Sequence, residues 1–149
     1  MVSIVLSVGA RTDWMAGITV LEAWESLGHN QNFMANSEKH ALSKDDLTPV
    51  MKTLIYLFHV YFAEEPYTAL SAPLTEVNIF TVKEGFHNQE FVPLLATYAE
   101  TLNRVTTEHG GYGGATWGTV VESKKEYVLV FGWKDLEVTM QAALSVQGS

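Results

Sequence analysis

Two side chains that could take part in proton transfer lie in one apolar stretch, from Thr53 to Phe62. His59 and Tyr61 are two positions apart there, and since successive side chains of a strand point to opposite faces, both belong to one face. Histidine can act as a general base at neutral pH, and a tyrosine hydroxyl can donate a hydrogen bond to a developing oxyanion. His59 and Tyr61 are therefore candidate catalytic residues. The alternative is a core histidine that hydrogen-bonds its surroundings.

Three tryptophans stand at or near strand positions, where an indole could line a cavity for a flat substrate: Trp24, Trp117 and Trp133. Core packing is the alternative for each. An internal repeat favours packing, because the segments 18–27 and 127–136 align Trp24 with Trp133 as well as Leu27 with Leu136. Such a repeat would place both tryptophans symmetrically whether or not either half binds a ligand.

Several kinds of site are excluded by what the sequence lacks. The chain has no cysteine, so it can form neither disulfides nor thiolate metal sites. No His-x-His, His-Glu-x-x-His or Gly-x-Ser-x-Gly motif occurs. The glycines between Gly110 and Gly114 follow a helical pattern, whereas a phosphate-binding loop precedes its helix. We therefore expect no metal site and no hydrolase chemistry.

Composition indicates one acidic domain. The 149 residues include 9 Lys and Arg against 17 Asp and Glu, for a net charge of −8, and 47% are hydrophobic. The charge does not favour binding to nucleic acid. No stretch reaches the roughly 20 apolar residues of a membrane span, and the N-terminus lacks the basic residues of a signal peptide. We expect a cytoplasmic protein without a membrane partner.

The elements that must position these residues begin with a hairpin of two strands, Val2–Val8 and Ile18–Trp24. Ser26 can cap a short helix, and another short helix is predicted after Ser43. The run from Thr53 to Phe62 predicts a strand buried on both faces.

The second half continues with a predicted strand at Glu76–Lys83 and then a long helix. A single apolar stripe at helical spacing defines that helix: Phe91, Leu94, Leu95, Tyr98, Leu102 and Val105. A second hairpin is predicted from Ala115–Val121 and Glu126–Trp133. A last helix is predicted to begin at Asp135.

Four segments, taken in order, resemble a known superfamily: 22–34, 58–62, 69–77 and 131–136. They are similar to dimeric α+β barrel proteins, and more narrowly to the fungal tandem members called antibiotic-biosynthesis-monooxygenase-like (ABM) proteins. The resemblance implies an α+β fold in which ferredoxin-like antiparallel sheets form a barrel. It also implies a single domain over residues 1–149, with pseudo-repeated halves at about 1–66 and 74–149 whose ends look trimmed. Unpaired sheet edges would be covered by homodimerisation.

The same resemblance implies cofactor-free chemistry on a small apolar, aromatic or polyketide-like ligand held between sheet and helices. His40 follows the first helix at about the place where a plant polyketide cyclase of the superfamily keeps its catalytic histidine, and Phe33 stands at the position of that enzyme's tyrosine. The predicted catalytic residues are thus His59, Tyr61 and His40. The predicted substrate contacts are Trp24, Phe33, Trp117 and Trp133.

Three functions fit this resemblance. The first is a cofactor-independent cyclase, isomerase or lyase of secondary metabolism that works by histidine-mediated proton transfer. The second is a cofactor-free monooxygenase, in which an anthrone-type phenol is deprotonated and its carbanion reacts with O₂. The third is a non-catalytic domain that binds a small ligand or serves assembly, since a fold does not fix a function.

Overall fold

The computed structural model describes residues 2–9, 17–38, 51–108, 112–135 and 137. It shows a mixed α+β protein whose paired strands run antiparallel, as the sequence predicts. The chain forms two compact units, Met1–Tyr61 and Phe62–Ser149. His40, the helix predicted after Ser43 and nearly all of the last predicted helix lie outside the described residues.

Unit 1 contains three strands and a short helix among its described residues: β1 (Val2–Gly9), β2 (Gly17–Ala23), α1 (Leu27–Ala35) and β3 (Met51–Phe62). Strand β1 lies in the middle, antiparallel to both β2 and β3. The predicted first hairpin is confirmed. So is the cap of α1, where the Ser26 side chain accepts a hydrogen bond from the backbone N–H of His29 at 3.2 Å.

Unit 2 contains, in its described part, α2 (Tyr67–Leu70), β4 (Leu74–Thr81), α3 (Asn88–Glu108), β5 (Gly113–Val120) and β6 (Glu126–Trp133). Strand β6 lies between β5 and β4 and is antiparallel to both, so the predicted second hairpin is confirmed. Every residue of β6 from Tyr127 to Trp133 is buried. A central strand covered on both faces explains why its sequence is apolar without alternation.

The core of unit 2 lies between these strands and α3. Its buried members include Val82, Leu95, Ala99, Leu129 and Trp133. The helical stripe that the sequence predicts overlaps in part with the buried face, since Phe91, Leu95 and Leu102 pack on the core. Leu94 is 68% exposed and Tyr98 is also exposed, whereas the small residues Ala99 and Thr106 are buried.

Two glycines let α2 approach the strands closely. Gly114 has a φ of +74°, and a Cβ built there would lie 2.7 Å from Cβ of Thr68. A Cβ built at Gly132 would lie 2.6 Å from Cβ of Ala72. Both distances are below any normal contact between carbon atoms, so both positions require glycine for packing. The positive φ of Gly114 requires glycine there for the backbone conformation as well.

Within the described ranges, no helix combines the length and the apolar character needed to cross a membrane.

Candidate functional site

A side-chain hydrogen bond in unit 1 joins His59 on β3 to Asn30 on α1. The distance from His59 Nε2 to Asn30 Oδ1 is 2.9 Å. An amide oxygen only accepts hydrogen bonds, so Nε2 is the donor, and Nδ1 is the basic nitrogen of the neutral ring. Asn30 is 5% exposed, which fixes its side chain in position. The contact therefore orients the imidazole, with Nε2 facing the amide oxygen.

Burial along the end of β3 alternates as a strand predicts. Phe58 and Val60 are fully buried, whereas His59 is half-buried and Tyr61 is 48% exposed. The apolar run by itself predicts burial on both faces, but at this end of the strand only one face is buried. His59 and Tyr61 share the other face, where their polar groups can meet a solvent-borne molecule.

The strand register adds a carboxylate to this face. Ser3 on β1 is paired with Glu22 on β2 and also with His59 on β3. Glu22 and His59 therefore lie in one row on the same face, two strand spacings or about 10 Å apart. Sequence reasoning did not single out Glu22, because its place opposite His59 depends on the pairing of both strands with β1.

The helix α1 also carries an aromatic contact beside the end of β2. Phe33 packs against Trp24, with ring centroids 5.2 Å apart and planes inclined by 46°. Asn30 and Phe33 are both on α1, so one helix contacts His59 through its amide and Trp24 through its ring. Four of the predicted site residues thus lie around this helix and the face of its sheet: Trp24, Phe33, His59 and Tyr61.

The other two tryptophans are in unit 2. Trp133 is 4% exposed, its ring packs edge-on against Phe131, and its indole N–H donates to Glu76 Oε2 at 2.9 Å. Trp117 is half-buried and lies 6.4 Å from Tyr127 between ring centroids. Both indoles belong to the packing of unit 2, and a substrate contact for either of them stays a prediction.

The remaining described histidines are at the surface. His29 forms an exposed pair with Glu25 at 3.2 Å, one turn earlier in the chain. His87 is exposed just before α3, where its backbone N–H donates to Glu90. Over the described ranges, no three His, Asp or Glu side chains are grouped closely enough to hold a metal ion.

No family model, curated protein or solved structure matches this chain. The arrangement of antiparallel strands and helices is compatible with a ferredoxin-like fold. What the structure itself establishes is a mixed α+β protein with a half-buried, hydrogen-bonded histidine on a sheet face that also carries aromatic side chains.

Proposed function

We propose that this protein is a cofactor-independent enzyme that transfers a proton on a small aromatic or polyketide-like molecule, with His59 as the general base. The observation that carries the proposal is the 2.9 Å hydrogen bond from His59 Nε2 to the buried amide of Asn30. A base whose second nitrogen is held by an oriented partner has the tautomer that proton abstraction requires.

In the proposed reaction, the imidazole of His59 takes a proton from an acidic C–H or phenol of the substrate. From a C–H beside a carbonyl, the electron pair of the broken bond forms a C=C bond and the carbonyl oxygen becomes an enolate; from a phenol, the pair stays on the oxygen as a phenolate. The Tyr61 hydroxyl donates a hydrogen bond to that oxygen. Trp24 and Phe33 would contact the flat body of the substrate. Return of the proton to a different atom gives isomerisation, and attack of the enolate carbon within the molecule gives cyclisation.

The monooxygenase alternative starts with the same deprotonation, so a test of the base applies to both reactions. A purely structural histidine would make the same bond to Asn30, and an experiment must separate that role from catalysis. A base affects turnover even when the fold is intact, whereas a structural residue affects stability.

The test uses nitrobenzisoxazole, a flat aromatic compound from which a base removes one C–H proton to release a coloured phenolate. We expect His59→Gln to lower its turnover by about 10²-fold, the lower range of what a general base contributes. The matched control is His29→Gln, which removes an exposed histidine of the same unit and should leave turnover unchanged. Equal rates for His59→Gln and the parent protein, or a parent rate no higher than that of buffer, would contradict the proposal.

We also infer that two copies of the chain associate. The support is the edge of unit 2, where β4 is hydrogen-bonded to β6 and to no other described strand. A strand of eight residues with a neighbour on one side only, among the described strands, offers backbone N–H and C=O groups to another strand, which a second copy of β4 would satisfy.

A further inference from the structure

A groove in unit 2 is separate from the contacts made by His59. It lies between the end of β4 and the first half of α3 and has a volume of about 450 Å³, within the range of small-molecule sites. Its walls are mainly apolar, with one basic and one acidic side chain: Val82, Lys83, Phe86, Glu90, Phe91 and Leu94. All of these residues belong to unit 2, so the groove is complete within it.

The two walls of the groove are held by hydrogen bonds to one turn. The backbone N–H of Val82 donates to the carbonyl of Lys125 at 2.9 Å, and Asn88 Nδ2 donates to the carbonyl of Lys124 at 2.7 Å. The turn between β5 and β6 therefore ties the end of β4 to the start of α3. Both walls of the groove therefore belong to the hydrogen-bonded packing of unit 2.

Aromatic packing supports the inner side of the groove, and exposed apolar side chains form its rim. Phe91 packs against Phe80 and Tyr127, with ring centroids 6.2 and 5.2 Å apart. Phe86 and Leu94 are 64% and 68% exposed. Two large apolar side chains this exposed beside a preformed groove are a typical sign of a binding surface.

The charged side chains of the groove indicate the kind of ligand. Oε2 of Glu90 accepts from the backbone N–H of His87 at 3.4 Å, so this carboxylate already interacts with the start of α3, where the helix dipole favours it. No carboxylate of the described residues lies within ion-pair distance of Lys83. Lys83 is therefore the charged group that a ligand in the groove could pair with.

We propose that this groove binds a small amphiphilic carboxylate. The apolar body of the ligand lies against Phe86, Phe91 and Leu94, and its carboxylate pairs with the ammonium group of Lys83. The proposal is independent of the role of His59, because it concerns different residues in the other unit.

The test compares two probes that differ only in the head group, octanoate and 1-octanol. Each is titrated into the whole protein, and the backbone amide signals are followed by nuclear magnetic resonance. We expect the largest shifts at residues of the groove, and about threefold tighter binding of octanoate than of octanol, as for an exposed ion pair. Lys83→Gln should remove that difference, and Phe86→Ser should weaken both probes by about tenfold through lost apolar contact.

Two exposed residues of unit 2 outside the groove provide matched controls, Lys134→Gln and Tyr67→Ser. Both control variants should bind the probes as the parent does. The proposal is overturned if octanol binds as tightly as octanoate, if the shifts lie away from the groove, or if neither probe binds.

The four substituted positions, Lys83, Phe86, Lys134 and Tyr67, are all exposed, and the amide spectrum itself shows whether each variant is folded. Turnover of nitrobenzisoxazole should be unchanged in the Lys83 variant, which separates this test from that of the proposed function.

Discussion

At the scale of single residues, the proposed function depends most on the hydrogen bond between His59 and Asn30. The side chains come from positions 29 residues apart and meet at 2.9 Å. The hydrogen bond places a donor proton on Nε2 and keeps a buried amide oxygen satisfied. Asn30 is therefore a positioning residue for the imidazole. Replacing it should lower the stability of the fold whether or not His59 is catalytic.

We predict that Asn30→Leu lowers the free energy of unfolding by about 1–3 kcal/mol, because the N–H of His59 loses its partner within a packed region. The measurement is equilibrium unfolding in urea. The control is Asn32→Leu, an exposed position of the same helix, where we expect a change within about 0.5 kcal/mol. Equal stabilities for the two variants would show that the bond to His59 does not contribute.

Some of this site could be predicted from the sequence, and some could not. The period of a strand places His59 and Tyr61 on one face, and Ser26 is recognisable as a helix cap because the signal lies within a few residues. Asn30 carries no such signal. An asparagine in a short polar helix looks like a surface residue, and only the packing of α1 against the sheet brings its amide to the histidine.

At the scale of elements, α3 shows what a periodic pattern can and cannot determine. The existence of the helix is predicted correctly, but the pattern counts Leu94 and Tyr98 as core residues and both are exposed. The face that packs on the core keeps Phe91, Leu95 and Leu102 from the predicted stripe and adds Ala99. Leucine is more apolar than alanine, so a sequence pattern selects it. The packed helix buries Ala99 because a small residue allows close approach to the strands.

Two neighbouring leucines of α3 offer a sharp test of this face. We predict that Leu95→Ala lowers the free energy of unfolding by about 2–5 kcal/mol, because it leaves a cavity in the core of unit 2. Leu94→Ala removes the same atoms from an exposed position and should change stability by no more than about 0.5 kcal/mol. Thermal or urea unfolding of the two variants measures this difference in stability. Comparable losses of stability in both variants would mean that α3 is rotated about its axis, so that Leu94 also faces the core.

At the scale of the whole molecule, the two predicted hairpins and the long helix are present, and the mixed α+β class that the resemblance implies is the one observed. The boundary between the two compact units falls after Tyr61, at the end of a strand of twelve residues. The halves that the resemblance implies divide a few residues later, between about 66 and 74, and the apolar run itself continues through position 61 without glycine or proline. The boundary depends on which residues contact each other, and a local pattern cannot show that.

The last prediction concerns association of two copies through β4. A dimer would have twice the chain mass of 16.5 kDa, and light scattering behind a sizing column measures this directly. Ile79 lies on β4 and is exposed, and a lysine on an edge strand opposes pairing with another strand because its charge would be desolvated. We therefore expect Ile79→Lys to give a folded monomer. Tyr67→Lys, an exposed position on α2, should leave the dimer intact. A parent protein that elutes with the mass of one chain would refute the inferred dimer, whereas a dimer that persists in Ile79→Lys would exclude β4 as its interface.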